Sequence, residues 1–387
     1  MTDIDNPKRI LILGAGVLGG SVLDFLSQTG RPYVRHVAAR DGERTAQRAN
    51  LTRVAALNLG FTPDVTSSSI DVSDIDATAA LIARFKPDII FNATTLHSWW
   101  VITKLPPEAF KRIDAARGGV WTPMHTVLTR RLMTAVREAD SDAIVVNASY
   151  PDVVNAALSA EGLAPTIGIG NIANTVPVLR LAAARLLGRP VADVDIRIFA
   201  HHYFSYRMPS SGSSNGAPYH LSVIVDGRRL GSDEIDDEEV FRTVAGPLKR
   251  VRGLAGQAVT ASSAVSVLRA FADGGERTVH APGPLGLVGG YAVRVKPQGL
   301  ALDLPDGLSF DQAVEINRQC QTFDGIAAVE SDGSVRFTPE SVAIMRDEIG
   351  YDCEVMPLAD CEAWADELAA RFAAYCRRLG IDEIRAA

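Results

Sequence analysis

The sequence predicts an α/β protein with an N-terminal doubly wound parallel sheet and a C-terminal α+β domain. Three observations support this class. Short apolar segments alternate with helical patterns along roughly the first 150 residues. A glycine-rich turn joins the first apolar segment to the first helix. Beyond that part of the chain the regular alternation ends, which indicates a second domain of different architecture.

The glycine-rich turn is the most informative segment. The strand-like run 9–13 is followed by G-x-G-x-x-G at 14–19 and then by an apolar helical stripe. Gly14 permits a tight turn, Gly16 lets a pyrophosphate approach the backbone, and Gly19 lets the helix pack closely on the strand. The segment predicts a Rossmann-type dinucleotide site, and a tight turn without ligand is the alternative. The expected contacts are Gly14, Gly16, Val17, Leu18 and Gly19.

The remaining elements follow from periodicity and turn residues. Strands are expected at 9–13, 34–39, 67–71, 88–94 and 143–148, and helices at 18–28, 43–58, 75–85 and 123–139. Later strands are expected at 193–200, 220–226, 291–295 and 300–304, and later helices near 174–187, 260–273, 310–321, 339–347 and 360–379. We expect a dinucleotide-binding domain at 1–155 and a substrate and oligomerisation domain at 156–387. A homodimer is expected.

The segment 96–122 is long, aromatic and irregular in pattern, which is typical of a functional lid. It contains His97, a candidate catalytic residue because it follows the fourth strand. Lys104, Arg112 and Arg117 are candidates for holding an anionic substrate, or else ordinary surface charges.

Composition argues against several classes of protein. The 387 residues carry a net charge of −7, with 47% hydrophobic and 22% charged residues, so no nucleic-acid or membrane partner is expected. No apolar run approaches the roughly 18–20 residues of a membrane span, and the N-terminus lacks the pattern of a signal peptide. The four cysteines, at 320, 353, 361 and 376, form no C-x-x-C pair. They are expected to be buried thiols of a cytoplasmic protein, with a metal site or redox pair as the alternative.

The choice of cofactor depends on the end of the second strand. NAD-binding units usually carry an acid about 20 residues after the glycines, bonded to the ribose 2′-hydroxyl. Here Ala39 stands near that place and Arg40 follows, with Arg44 and Arg48 on the next helix. Cations suit a 2′-phosphate, so NADP is predicted with Arg40 as a contact. NAD is the alternative, since a small register shift would bring Asp41 into place.

Two polar residues at strand ends are further candidates for the cofactor cleft. Asp71 ends the predicted third strand and is placed near the adenine, unless it caps the next helix. Asn92 lies near the end of the predicted fourth strand and is also expected to contact the cofactor.

The run Val145-Val146-Asn147-Ala148-Ser149-Tyr150-Pro151-Asp152-Val153-Val154 resembles the Asn-Pro-Val-Asp turn of lactate and malate dehydrogenases. The later order is also similar, because Ile167-Gly168-Ile169-Gly170-Asn171 precedes a helix and Ile198-Phe199-Ala200-His201-His202 ends a strand. The resemblance, shared with the related NAD-dependent glycosidases, places His202 on the functional histidine and Asn147 on the asparagine that contacts substrate and nicotinamide. The N-terminal half also resembles saccharopine and opine dehydrogenases, through the runs 37–40, 70–72 and 88–93.

The sequence departs from that family at two positions. The aspartate that orients the histidine falls on Asn174, and the arginine that binds a carboxylate falls on Pro177. Without them, His202 is expected to lack an acidic partner and the site to lack its carboxylate fork, which argues against simple lactate or malate oxidation. The glycosidases use a histidine and a cysteine on a metal, whereas this chain has Asn171 there, so no metal is expected.

These observations predict an NAD(P)-dependent oxidoreductase acting on a ketone, imine or corresponding alcohol or amine of a small polar substrate. His202 is the main candidate for handling the proton, with His97 as competitor and Asn147 as a substrate contact. Tyr203 and Tyr206 are expected to be wall or packing residues. Two alternatives stay open: a non-redox enzyme that recycles a bound nicotinamide, and a dinucleotide sensor without catalysis.

Overall fold

The N-terminal half forms one parallel sheet of six strands in the order β3-β2-β1-β4-β5-β6. The computed structural model describes residues 7–251, 253–297 and 299–381. The strands are β1 Arg9–Leu13, β2 Val34–Ala39, β3 Asp64–Ser69, β4 Ile89–Asn92, β5 Ile144–Asn147 and β6 Ile167–Gly168. The strand order reverses between β1 and β4, which is where doubly wound sheets bind ligands. The predicted fold class is confirmed, although β6 lies beyond the domain boundary expected at residue 155.

The four helices predicted between these strands are present with ends within one residue of those expected, and two more helices, at Pro107–Ala115 and Pro151–Ser159, are not predicted by the sequence pattern. In chain order these helices are α1 Val17–Ser27, α2 Gly42–Asn58, α3 Ile75–Phe85, α4 Pro107–Ala115, α5 Thr122–Glu138 and α6 Pro151–Ser159. The third strand begins three residues earlier than expected and ends at Ser69. Asp71 therefore follows the strand, and Asp74 rather than Asp71 caps α3 by accepting a hydrogen bond from the Ala77 amide.

The expectation that 96–122 is irregular is wrong. The segment folds into α4, flanked by 3₁₀ turns at Trp99–Lys104 and Gly119–Trp121. Pro107 occupies the first turn of α4, where a missing amide costs no hydrogen bond. The segment is thus a packed helical connection.

The C-terminal half consists of helices and three small antiparallel sheets, β7-β8-β9, β10-β11-β12 and β13-β14-β15. The strands are β7 Val194–Phe199, β8 His220–Val225, β9 Arg228–Arg229, β10 Arg277–Pro282, β11 Gly290–Lys296, β12 Gly299–Leu302, β13 Ile326–Val329, β14 Val335–Phe337 and β15 Val355–Met356. The helices are α7 Ile172–Leu187, α8 His202–Ser211, α9 Asp237–Ala245, α10 Gln257–Ala272, α11 Phe310–Thr322, α12 Pro339–Ile349 and α13 Cys361–Arg378.

Packing joins the two halves on both faces of the parallel sheet. One core cluster runs from Leu11 in β1 to Cys376 in α13, and a second combines β1 and β2 with α10 and β11. An antiparallel bridge between Ala200 and Gly290 ties the end of β7 to β11. The end of β7, which carries the two histidines, is therefore anchored beside the parallel sheet.

All four cysteines are free thiols buried in the protein, as expected. Within the described residues, none of the helices combines the length and apolar character needed to span a membrane.

Two adjacent glycines in α1 test the packing of the glycine-rich turn. An added Cβ at Gly19 would lie 1.9 Å from the Gly14 carbonyl oxygen, whereas one at Gly20 would meet the guanidinium at the far end of the long Arg48 side chain. We expect Gly19→Ala to lower the free energy of unfolding by about 1–3 kcal/mol, because the helix must move away from β1. Gly20→Ala is the matched control, and urea unfolding of both variants checks the difference. Equal stabilities would contradict this packing.

Candidate functional site

The glycine-rich turn lies at the carboxyl end of β1. Gly14 has a φ of +97° and its amide donates to the Ala38 carbonyl at 2.8 Å. Helix α1 then starts after Gly16 without a side-chain cap and without an acid in its first turn. Its first amides therefore lack a side-chain partner, and Gly16 and Val17 are exposed. This open, uncapped turn fits a pyrophosphate.

The end of β2 offers fewer cations than expected. Arg40 is exposed and directly follows the strand. Arg48 instead forms a salt bridge with Asp24, so its expected role as a free cation for a 2′-phosphate is wrong. Asp41 caps α2 through the Arg44 amide at 3.0 Å.

Asp71 lies close to Arg40 at the same edge of the sheet. Its carboxylate accepts from the Ser73 amide at 2.9 Å. This hydrogen bond lowers the pKa of Asp71, and the Arg40 charge lowers it further. Asp71 is exposed, so its carboxylate faces solvent beside the end of β2.

A buried amide pair joins the ends of β4 and β5. Asn92 Nδ2 donates to Asn147 Oδ1 at 3.1 Å, and both side chains are completely buried. Asn147 also donates to Asn155 and accepts from the Ser149 amide. The amide oxygen and the amide nitrogen of Asn147 are thus both hydrogen-bonded within the protein. Asn92 and Asn147 are therefore closed off from solvent, and their expected contacts with cofactor and substrate stay predictions.

The functional histidine implied by the resemblance has an acidic partner. His202 Nδ1 donates to Asp324 Oδ2 at 2.7 Å, and the side chains are 25% and 3% exposed. The expectation that His202 lacks an acid is therefore wrong. Asn174, where the resemblance placed this acid, bonds instead to Thr260 and Ser263.

Asp324 reaches the histidine from a distant part of the chain. It lies in the short connection between α11 and β13, 122 residues after His202. The Gly119 amide donates to its backbone carbonyl at 2.8 Å, and an added Cβ at Gly118 would lie 3.3 Å from its carboxylate. The second half of the 96–122 segment therefore packs against Asp324.

The pair has complementary pKa shifts. Burial lowers the pKa of His202, but the charge and hydrogen bond of Asp324 outweigh it, so the pKa is raised above 6.5. Burial likewise raises the pKa of Asp324, and the facing His202 more than reverses this. The geometry thus favours the imidazolium–carboxylate form of the pair more strongly than free solution does.

Three neighbours of this pair were not among the predicted site residues. Tyr150 donates its hydroxyl to Asp324 Oδ2 at 2.5 Å. His201 is fully buried with its Nδ1 3.9 Å from the same oxygen, and neither ring nitrogen has a hydrogen-bond partner. His125 lies behind Tyr150, with ring centroids 5.8 Å apart. A buried Tyr150 was indistinguishable from a turn residue before Pro151 in the sequence.

His97 lies apart from the pair. Its ring stacks on Trp121 at 4.8 Å and meets the edge of Phe372 at 5.3 Å. Burial lowers its pKa to about 4, so the ring is neutral at neutral pH. It lines a cavity of about 350 Å³ between α13 and the segment after β4.

The three cations of the 96–122 segment have different surroundings. Arg112 pairs with Glu348 at 2.9 Å, and Lys104 lies over the Trp100 ring. Arg117 is half-buried, has a φ of +70°, and makes no salt bridge within the described residues. Its guanidinium lies over the Tyr203 ring, 5.9 Å from the centroid. It immediately precedes Gly118, where an added Cβ would lie 3.3 Å from the Asp324 carboxylate and 3.5 Å from the His202 ring.

Solved structures with a similar fold are lactate and malate dehydrogenases. No family model matches the chain, and no curated protein matches it by sequence. Lactate dehydrogenase from Eimeria maxima has a TM-score of 0.56 and 12% identity over 82% of this chain and 92% of its own. Malate dehydrogenase from Cryptosporidium parvum has a TM-score of 0.54 and 14% identity over 82% of this chain and 97% of its own. Malate dehydrogenase from Aeropyrum pernix has a TM-score of 0.52 and 16% identity over 81% of this chain and 96% of its own.

The chain has the fold of lactate and malate dehydrogenases. The resemblance inferred from the sequence is confirmed at this level. The shared architecture covers about four fifths of the chain, from the parallel sheet into the C-terminal half.

Replacing Asp324 tests the pair through its effect on stability. Because the pKa of His202 is raised in the folded state, its protonation stabilises the fold fully below pH 6.5. This stabilisation is lost as the pH rises through the raised pKa. The lowered pKa of Asp324 stabilises the fold above pH 3.8. Asp324→Asn should therefore cost most, about 3 kcal/mol, between about pH 4 and 6.5.

Urea unfolding across pH measures this cost. The control is Asp226→Asn, which breaks the exposed pair with Arg189 and should cost less than about 1 kcal/mol. A pH-independent loss at Asp324 would contradict the ion pair.

Proposed function

We propose that the protein is an NAD(P)-dependent oxidoreductase in which His202 transfers the proton. One observation carries the proposal: a histidine–carboxylate pair lies beside the ends of β4 and β5, at the same edge of the sheet as an uncapped glycine turn. Hydride transfer needs a dinucleotide site and a proton-transfer group facing one cleft. The fold supports the same proposal, because a similar solved structure contains NADH and oxamate and another contains lactic acid and NAD.

His202 is oriented for this role by its partner. A carboxylate only accepts hydrogen bonds, so Nδ1 of His202 carries a proton and Nε2 is the nitrogen that can give or take one. When bound, the nicotinamide supplies or accepts the hydride. In the reducing direction Nε2 gives its proton to the substrate oxygen or nitrogen, and in the oxidising direction it takes that proton back. The raised pKa means that His202 holds this proton to a higher pH than a free imidazole does.

Arg117 is the best candidate for holding an anionic group of the substrate. It makes no salt bridge among the residues described, and an added Cβ at the neighbouring Gly118 would meet both members of the pair. A positive φ in a non-glycine residue is strained, and such strain is concentrated at functional sites. The substrate class is therefore a small anionic ketone or imine, or its reduced form. Asn92 and Asn147 support the cleft from beneath.

The finer prediction of NADP depends on Arg40, since Arg48 is paired with Asp24. Arg40 is exposed at the end of β2, where a ribose 2′-phosphate would lie in this fold. The expected homodimer and the contribution of His97 to catalysis stay predictions.

Cofactor choice is measured by thermal shift, because a ligand that binds only the folded state raises the melting temperature. We expect NADPH to raise it more than NADH in the wild type, and Arg40→Ala to abolish the difference while retaining the shift with NADH. Arg53→Ala is the control, because Arg53 lies further along α2 and bonds to Asn50. Equal shifts in the wild type would remove Arg40 from this role.

The proton-transfer role is tested with His202→Asn. We expect the NAD(P)H-dependent reduction of small 2-oxo acids and imines to fall by about 10²–10⁴-fold, because the proton donor is lost. Dinucleotide binding should be unchanged. His220→Asn is the control, since His220 bonds to Ser222 in β8.

The same assay separates the alternatives. Turnover of a substrate without net NAD(P)H consumption would indicate a recycled cofactor and overturn the oxidoreductase proposal. Tight cofactor binding with no turnover of any compound in the panel would favour a sensor.

A further inference from the structure

Two donors share one oxygen atom in the centre of the site. His202 Nδ1 donates to Oδ2 of Asp324 at 2.7 Å, and the Tyr150 hydroxyl donates to the same oxygen at 2.5 Å. The two rings meet edge to face with centroids 5.4 Å apart. Asp324 is almost completely buried, so water does not compete for this oxygen.

We propose that Tyr150 is a positioning residue: it shares Oδ2 of Asp324 with His202 and limits how strongly the carboxylate holds the imidazole proton. Its part in catalysis rests on the proposed function. A carboxylate bonded only to His202 would hold the imidazolium more tightly and make it a poorer proton donor. Dividing the charge of one oxygen between two donors weakens its hold on each.

The backbone places Tyr150 for this contact. Its φ of 45° and ψ of 56° lie in the left-handed region, which a bulky residue rarely adopts. Tyr150 is also the residue before α6, yet its side chain does not cap that helix. The chain therefore accepts strain at this residue, and the hydroxyl is directed to Asp324 instead of the helix terminus.

The hydroxyl is a permanent donor. Burial raises the pKa of Tyr150 well above 10, and the Asp324 charge raises it further. Tyr150 thus keeps its proton throughout the pH range in which His202 titrates. Its hydroxyl therefore stays the donor to Oδ2 throughout the proposed reaction.

Other charged and titratable groups surround this cluster and are retained in every variant below. The charge of Asp152 raises the pKa of His202 and that of Arg207 lowers it. His201 Nδ1 lies 3.9 Å from Oδ2. Cys320 acts on Tyr150, and His125 lies against its ring. Among these, Tyr150 is the group whose hydrogen bond competes directly with His202 for Oδ2.

The test is a pH titration of His202 in the full-length protein, in which NMR of the ring nitrogens is the readout. Tyr150→Phe keeps the ring and removes the hydroxyl, so Oδ2 acts on His202 alone. We expect the pKa of His202 to rise by about half a unit to one unit. In an Asp324→Asn background the same change should shift it little, because the shared charge is gone. Tyr291→Phe is the matched control, since that buried hydroxyl bonds to the Val288 carbonyl.

A second variant covers the case in which Tyr150→Phe does not fold. Incorporating 3,5-difluorotyrosine at position 150 keeps the shape and strengthens the donor, so the pKa of His202 should fall. An unchanged pKa, or a shift of the opposite sign in either variant, would overturn the proposal. A merely structural tyrosine would not produce shifts of opposite sign.

Kinetics then connect the titration to turnover. Carbonyl reduction requires protonated His202, so in Tyr150→Phe the loss of kcat/KM with rising pH should move upward by the same amount as the NMR titration. If the NMR shifts appear but the wild type reduces no compound in the panel, the proposed function fails while the shared hydrogen bond stands. If turnover is found but the pH profile does not move, this inference fails and the proposed function stands.

Discussion

The buried carboxylate of Asp324 is the interaction on which the site depends. A desolvated charge is costly unless it is paired and hydrogen-bonded. Here His202 and Tyr150 both bond to it, from positions 122 and 174 residues away in the chain. Satisfying this one group therefore requires the start of α8, the end of β5 and the connection after α11 to meet at a single point. The Gly119 amide, bonded to the Asp324 carbonyl, adds a fourth segment.

The parallel sheet determines where Asp324 and its two partners lie relative to the glycine turn. The carboxyl ends of β1, β4 and β5 lie at one edge, and Asn92 and Asn147 join two of them through a buried hydrogen bond. Ala93 follows β4 and donates its amide to the Leu13 carbonyl at 2.8 Å, and an added Cβ at Gly14 or Gly19 would meet it. The glycine turn and the histidine pair are thus supported by the same strand ends.

Electrostatic surroundings distinguish His202 from the other histidines nearby. Burial lowers the pKa of His97 to about 4 and that of His125 to about 3, and it also lowers the pKa of His201. At His202 the direct hydrogen bond to a carboxylate reverses this effect. Adjacent histidines in one chain therefore have opposite shifts, because His202 bonds directly to a carboxylate and His201 does not.

The sequence by itself determined the elements whose signals are local. Strands β1 and β2 and helix α3 have the bounds that periodicity predicts, and the G-x-G-x-x-G spacing located the turn at Gly14. These features depend on neighbours within a few residues. Tertiary structure alone decided that Asp324 serves His202, that Tyr150 joins them and that Asp24 occupies Arg48. Such pairings depend on which distant segments fold together, and a single sequence carries no local pattern that records it.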